Sequence, residues 1–464
     1  MFLNINQHPT DAEAAVDDSG RRMTYGKLCD ICEEISHVIS SRELVFILCR
    51  NCLGAFSGYM GFVSAKAVPL LLNEAMEEGM LRSMIDLYHP SYLWVPERRA
   101  GEFEGETVYS CYDYALIRTG RKAPALHENL SLLLTTSGST GSPKLVRHSY
   151  RNLEASARNI ASFFGFTSSE RAMADLPMQY TMGLSVLHSH MIVGATVLLT
   201  EYSLLSSDFW EYLKNERATN FTGVPFSYEC FKRLRFTRMD LPDLTTLAQG
   251  GGKLTDEMFR ELAEYADRTG KRFFATFGQT ECTARMAYCP PDRALEKTGT
   301  IGIAIPEGEL FLLDDDGREI RETVAEGEMG YRGPNVTMGY ATTPEELLLG
   351  DEWHGETHTG DMARRDEDGF YYIIGRKTRV LKLYGYRVSL DQTERMLETA
   401  FGVECACTGT DKRMEIYVTS EEHADEIPSY LAKATGILKG AFHVSVIDSI
   451  PRNESGKIRY KDLK

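Results

Sequence analysis

The chain has 464 residues, 43% of them apolar and 25% charged, enough for a large core and for more than one domain. Lys plus Arg number 51 against 67 Asp plus Glu, a net charge of −16, and no local run of basic residues offsets that excess. Nucleic acid and anionic membrane are therefore poor partners for it, and neither is expected.

The first residues, MFLNINQHPTDAEAAVDD, show no basic start leading into an apolar segment, so they do not read as a secretory leader. The longest apolar stretch, residues 53–72, is interrupted by Lys66 and several glycines and does not read as a membrane span. A soluble, cytoplasmic protein is the expectation. After Thr24 and Tyr25, the residues Leu28, Ile31, Cys32, Ile35, Val38 and Ile39 recur at helical intervals. ELVFILC then reads as a buried strand ending at Cys49, and residues 53–63 as the next helix. Cys29, Cys32, Cys49 and Cys52 spell C-x2-C-x16-C-x2-C, a zinc-site spacing. Their placement on one helix and across one strand end makes them core cysteines instead, since free cysteine packs as a small hydrophobe.

Strands are predicted at residues 45–49, 67–72, 130–135, 195–200, 220–224, 246–249 and 272–277. Helical patterns lie between several of them, for example Leu153, Ala157, Ile160, Ala161 and Phe164, ended by Gly165. Alternation of this kind is an α/β plan. From about Gly299 the texture changes to short strands, glycine turns and acidic loops such as LLDDDGREI and RRDEDGFYYIIGR. Helices follow near residues 391–401 and 427–435, and a small C-terminal domain is expected to begin between Arg376 and Arg379. His354 and His358 in WHGETH are separated by a glycine and read as loop residues.

Within LSLLLTTSGSTGSPKLVRH, residues 130–148, an apolar strand runs into Thr135, Thr136, Ser137, Gly138, Ser139, Thr140 and Gly141, with Lys144 behind them and a helix expected to follow. A Walker-type P-loop is excluded, because Pro143 precedes the lysine and Leu145 stands where a magnesium-binding hydroxyl would be needed. Hydroxyls and unhindered backbone N–H groups on one side of a turn, backed by a lysine, still make an anion cradle.

Taken with FGQTEC at 277–282, TGD at 359–361, GRKTRVLKLYGYRVSLDQTE at 375–394 and PRNESGKIR at 451–459, this loop resembles the ordered signature of the adenylate-forming (AMP-binding) superfamily. That superfamily includes acyl-CoA synthetases, the adenylation domains of peptide synthetases, and firefly luciferase. The resemblance spans nearly the whole chain. It implies an α/β fold with a large multi-sheet N-terminal adenylation domain, residues 1–377, and a smaller mobile α+β C-terminal domain, residues 378–464. It also implies ATP and magnesium as cofactors, and activation of a carboxylic acid through acyl-AMP followed by transfer to a thiol. Coenzyme A is the expected acceptor, with the phosphopantetheine arm of a carrier protein as the alternative.

The roles implied for individual residues follow from the charges that must be managed when a carboxylate attacks the α-phosphate. Thr136, Ser137, Gly138, Ser139, Thr140, Gly141 and Lys144 would hold the β- and γ-phosphates, and Glu281 would ligate magnesium. Thr280 would contact the α-phosphate, with Gly278 and Gln279 beside it. Gly250, Gly251 and Gly252 would let the backbone approach the adenine, with Phe277 as an aromatic face. Asp361 would accept from the ribose hydroxyls, assisted by Arg376, and Lys457 would be the electrostatic catalyst of adenylation. A swing near Thr378, where many relatives carry Asp or Lys, would then exchange Lys457 for Lys382, Gly385 and Tyr386 in the thiol step. Amino-acid-activating relatives place an aspartate near the position of Thr181, so a free α-amino acid is disfavoured. Tyr180, Gly183, the segment GVPFSYEC at 223–230 and the glycines at 250–252 are the expected lining of the acid pocket.

Overall fold

The computed structural model describes residues 1–135, 144–384, 386–452 and 456–463. Contacts divide the chain into two compact units. The first comprises Met1–Thr298, Ala304–Glu309 and Arg332–Thr357; the second comprises Gly299–Ile303, Leu310–Tyr331 and His358–Lys464.

Two sheets build the first unit. In one, the strands follow the order Tyr340–Ala341, Leu145–Ser149, Leu130–Thr135, Val68–Asn73, Leu44–Cys49, Tyr92–Pro96, Tyr114–Arg118, Glu106–Cys111. Leu44–Cys49 runs parallel to both of its neighbours and is buried at every position. A strand covered on both faces reads as an unbroken apolar run, which is how LVFILC was legible. The strands Leu130–Thr135 (β1) and Leu145–Ser149 (β2) pair antiparallel, with Thr135 opposite Leu145. The segment after the hydroxyl-rich loop is therefore a strand before it is a helix, because Leu145–Ser149 pairs with β1 on one side and with Tyr340–Ala341 on the other.

Ser149 then caps helix α1, Tyr150–Phe164, through a reciprocal bond with Asn152, and Gly165 ends it in the left-handed conformation. The second sheet takes in Arg171–Ala174 (β3), Asn220–Gly223 (β4), Thr246–Gln249 (β5) and Arg272–Phe277 (β6), which lie parallel in that order. Helix α2, Thr181–Met191, follows β3, and the two-residue strand Ala287–Tyr288 (β7) returns antiparallel along the end of β6. One core cluster joins both sheets through the helices, with Ile47, Leu132, Leu134, Ala172 and Val197 from strands and Leu153, Ala157, Leu184 and Leu187 from α1 and α2.

The helix Leu53–Ser64 is buried from Leu53 to Val63, which explains the long apolar stretch without a membrane. A Cβ on its Gly58 would lie 2.2 Å from Trp94 Nε1, so the helix and the indole touch only because that position is glycine. Among the described residues no helix is long and apolar enough to cross a membrane. Cys32 and Cys49 belong to the core cluster, with Cys29 and Cys52 packed against it, and burial raises the Cys32 thiol to about 12.

The second unit holds a four-stranded sheet that includes Glu356–Arg365 (β8) and Tyr371–Arg376 (β9). After it come a hairpin of Val380–Leu383 with Tyr386–Ser389, helix α3 at Leu390–Phe401, and a three-stranded sheet. Its own core gathers Leu381, Leu383, Leu397, Cys407, Ile416, Ile427 and Leu431. The change of texture read at Gly299 falls where the chain first enters this unit.

Candidate active site

The site in the first unit begins where β1 and β2 part. Thr136, Ser137, Gly138, Ser139, Thr140 and Gly141 lie outside the described residues; the register that closes beneath them does not. Lys144 is exposed, and its ammonium stands 3.9 Å from the centre of the Tyr340 ring. Tyr340 is placed by pairing with Val146 of β2, and Trp353 packs edge-on against its ring at 4.9 Å. Its hydroxyl donates to Glu281 Oε1 at 2.7 Å. Burial, with the Glu281 carboxylate adjacent, pushes the Tyr340 phenol upward, so it remains a donor at neutral pH. Lys144, Tyr340 and Glu281 thus form one row: cation, ring and carboxylate.

Glu281 owes its position to an unusual turn. β6 ends at Phe277, a single 3₁₀ turn spans Thr280–Cys282, and Thr283 and Ala284 both take positive φ, 49° and 85°. Non-glycine residues rarely enter that region, and they stay there only when neighbours hold them. Asn335 is one such neighbour: its Nδ2 donates to Cys282 O at 2.7 Å and Arg285 O at 3.0 Å, and its carbonyl accepts from Thr283 Oγ1 at 2.8 Å. Ser156 of α1 donates to Thr283 O at 2.6 Å, and the Thr337 N–H donates to Glu281 O at 3.0 Å. Gly278 is what lets the turn close, since a Cβ there would sit 1.5 Å from Ala284 O.

Thr280 Oγ1 accepts from Thr181 Oγ1 at 2.9 Å, which brings the first turn of α2 against the motif. The N-terminus of a helix offers backbone N–H groups to an anion. Tyr180 is the N-cap residue of α2, and the missing Cβ of Gly183 allows that turn to approach the Leu176 and Pro177 carbonyls, 2.5 and 2.4 Å from where the Cβ would be. Gly250, Gly251 and Gly252 follow β5. A Cβ on Gly250 would meet Met182 Cε at 2.3 Å and Thr276 Oγ1 at 2.8 Å, while Gly251 has φ +75°. Phe277 closes β6 opposite Ala287 of β7, with Gly278 and Gln279 leading from it into the turn.

One residue of this region escaped the sequence reading. Arg285, four positions after Glu281, is 1% exposed. Its Nη2 lies 3.4 Å from Met182 Sδ and 3.5 Å from Thr222 Oγ1, its Cζ is 4.9 Å from the Phe164 ring centre, and its Nε is buried with no hydrogen-bond partner among the described residues. Burial lowers the guanidinium to about 9, still charged at neutral pH. The signal was present in principle: TARMAYC puts a single cation inside an otherwise apolar run.

In the second unit, Asp361 of β8 is 3% exposed and lies opposite Arg376 of β9. Arg376 Nε donates to Asp361 Oδ1 at 2.8 Å, and the Asp361 N–H donates to Thr359 Oγ1 at 3.0 Å. The backbone N–H of Arg376 is held by Asp391 Oδ2 at 2.6 Å. Lys382 sits opposite Arg387 and Tyr386 opposite Leu383 in the hairpin, and Gly385 lies outside the described residues. Lys457 is exposed and follows Gly456, whose φ is +78°. Its loop is closed by the bridge between Arg452 and Ile458 and by the Arg459 N–H donating to Pro451 O at 2.8 Å. Beyond it, Tyr460 lies under the Arg379 guanidinium at 3.6 Å and donates to Glu394 Oε2 at 3.2 Å, fastening the tail to the segment next to Thr378.

A family model described as AMP-binding enzyme matches residues 2–341. Oxalate–CoA ligase of Arabidopsis thaliana is 29% identical over 348 residues, 71% of this chain and 66% of that protein. The 2-succinylbenzoate–CoA ligase of Bacillus cereus (strain AH820) is 26% identical over 98% of this chain and 96% of its own length. In fold, the chain matches the O-succinylbenzoate coenzyme A synthetase (MenE) from Bacillus subtilis in complex with AMP, with a TM-score of 0.80 at 21% identity over 100% of this chain and 97% of the other.

Proposed function

We propose, for a chain that belongs to the AMP-binding enzyme family, that it is an ATP-dependent acid–thiol ligase: it converts a carboxylic acid to acyl-AMP and passes the acyl group to coenzyme A. The row of Lys144, Tyr340 and Glu281 is the observation that carries this reading. It sets a cation and a braced carboxylate beside the paired ends of β1 and β2, where a polyphosphate and its metal would need them.

In the first half-reaction a carboxylate oxygen of the acid bonds to the α-phosphorus, the bond from that phosphorus to the bridging oxygen breaks, and pyrophosphate leaves. Lys144 with residues 136–141 holds the departing phosphates, Thr280 faces the α-phosphate, and Asp361 with Arg376 binds the ribose. Glu281 offers a hard oxygen whose neighbour is already fixed by Tyr340, a donor that suits magnesium bound chiefly by phosphates and water. When bound, that ion neutralises phosphate charge. Lys457 stabilises the charge that gathers at the α-phosphate as the two anions meet.

In the second half-reaction the thiol sulfur bonds to the acyl carbon, the mixed anhydride breaks, and AMP leaves. We assign this step to residues 378–464 turning about Thr378 relative to residues 1–377, with Lys382, Gly385 and Tyr386 replacing Lys457. Relatives named as coenzyme A ligases support coenzyme A as the acceptor. Consumption of ATP and coenzyme A fits a cytoplasmic enzyme. The test is pyrophosphate exchange across a panel of carboxylic acids, then thioester formation with coenzyme A and with a phosphopantetheinylated carrier protein. Exchange with no acid, while ATP still binds, defeats the adenylation reading; transfer to the carrier protein alone moves the acceptor from coenzyme A to the carrier.

A further inference from the structure

Arg285 presents a chemical imbalance that the adenylation machinery does not use. A guanidinium carries five N–H donors in a planar fork and normally meets carboxylates or carbonyls when buried. Here its bonds run only to a thioether and, at 3.5 Å, to a threonine hydroxyl, while Nε has no acceptor among the described residues. No carboxylate of the described residues pairs with it. The Phe164 ring at 4.9 Å offsets part of the charge but cannot satisfy the fork. A buried cation left in this state is costly unless something completes it.

The direction in which it waits follows from α2. Thr181 and Met182 are consecutive on that helix, so their side chains leave it about 100° apart. Thr181 turns to Thr280, the α-phosphate side; Met182 turns to Gly250 and to Arg285. The cation therefore lies on the Met182 side of α2, the side of Gly250, which is expected to line the acid pocket, and not on the Thr181 side that meets Thr280. Thr222 of β4 and Met182 flank it there.

We propose that Arg285 is the specificity-determining anchor of the acid pocket and receives a second carboxylate, so that the preferred substrates are dicarboxylic acids activated at the end remote from Arg285. The inference rests on the adenylation reading above. One carboxylate accepts from the Nε–H that no described residue accepts, and the other carboxylate is left to attack ATP.

The experiment uses the full chain and paired acids of equal carbon count: malonate with propionate, succinate with butyrate, glutarate with valerate, phthalate with benzoate. Pyrophosphate exchange by the wild type should favour at least one diacid over its partner by ~10² or more in kcat/KM, the scale on which a site built around a polar group rejects its absence. Arg285→Met should erase that preference while binding AMP as tightly as the wild type. A second readout needs no turnover: the preferred diacid alone raises the melting temperature of the wild type and leaves that of Arg285→Met unchanged. An unaltered diacid-to-monoacid ratio in Arg285→Met, a wild type that prefers monoacids, or lost AMP binding in the variant overturns the inference while adenylation stands. Absence of exchange with every acid overturns adenylation itself and this inference with it. Should Arg285→Met fail to fold, Arg285→Lys serves, keeping the charge but losing the fork; it should cut the diacid preference at least ~10-fold.

Discussion

Gly278→Ala isolates the turn that carries Glu281. The added Cβ would lie 1.5 Å from the carbonyl oxygen of Ala284 and 2.7 Å from Arg285 Cα, both backbone atoms, whereas real Cβ atoms essentially never come closer than 3.0 Å to a neighbour. The turn has to open by roughly the missing distance, more than an ångström, and no side chain can rotate away to relieve it. Thr283 and Ala284 are already in the left-handed region, so the relief falls on Thr280 and Glu281 and on the Asn335 bonds that clamp them. A misplacement of about 1 Å at a positioned group costs on the order of 10²-fold in rate. Pyrophosphate exchange should therefore fall by ~10²–10³, with a melting temperature within several degrees of wild type, because the core sheets are untouched. Gly79→Ala is the matched control: its Cβ would be 3.0 Å from Glu77 Oε1, the far end of a flexible side chain, and exchange should stay within roughly threefold. A folded Gly278→Ala protein that exchanges pyrophosphate at the wild-type rate would refute the argument that this turn sets the catalytic geometry.

Glu281→Gln should cost ~10²–10³ in exchange and raise the magnesium concentration for half-maximal rate, since an amide keeps the shape but not the charge; an unchanged magnesium titration counts against the metal role. Tyr340→Phe keeps the ring under Lys144 and deletes only the bond to Glu281, so a loss near 10-fold is expected, the scale of one hydrogen bond to a charged group, and Tyr340→Ala should be worse. Lys457→Ala should slow acyl-AMP formation by ~10²–10³ yet turn supplied acyl-AMP and thiol into thioester at nearly the wild-type rate; equal losses in both assays would mean that Lys457 is not confined to adenylation. Acid should destabilise the fold between about pH 6.5 and pH 4. Burial lowers His148 and His190 to about 4 and His188 to about 3 from 6.5, so the native state binds fewer protons than the unfolded one in that window and loses stability as pH falls through it. Asp175, raised by burial to about 7, works in the opposite sense, so Asp175→Asn should steepen the fall in melting temperature; a flat profile from pH 7 to 4.5 would contradict the buried-histidine account.

The strands were legible where burial on both faces left no alternative to an apolar run. Residues 130–135, 246–249 and 272–277 were read with the bounds they have, and the remaining predicted strands shift by only a residue or so at their ends. Strands that owe their existence to a distant partner were not legible. Tyr340–Ala341 is two residues long and exists because Val146 and Leu145 offer it an edge, a pairing across nearly two hundred positions that no local pattern announces. The same pairing gives an edge partner to LVRHS, a strand not predicted between the hydroxyl-rich loop and the helix that follows.

The site divides along the same physical line. Residues proposed to act through their own backbone or charge, such as Gly278, Glu281, Asp361 and Lys457, stand in short motifs whose composition would suit that task. Residues that act by holding those ones do not. Asn335 grips the Glu281 turn from more than fifty positions away with an ordinary side-chain amide, and Tyr340 braces the carboxylate from a strand that local periodicity cannot see. Arg285 is the intermediate case. A charge within TARMAYC conflicts with the burial that the rest of that segment demands, and local conflicts of this kind concentrate where function overrides stability. The conflict marks the position, but only the fold shows its surroundings: Arg285 is buried just before β7, α2 brings Met182 against it, and its Nε finds no acceptor among the described residues.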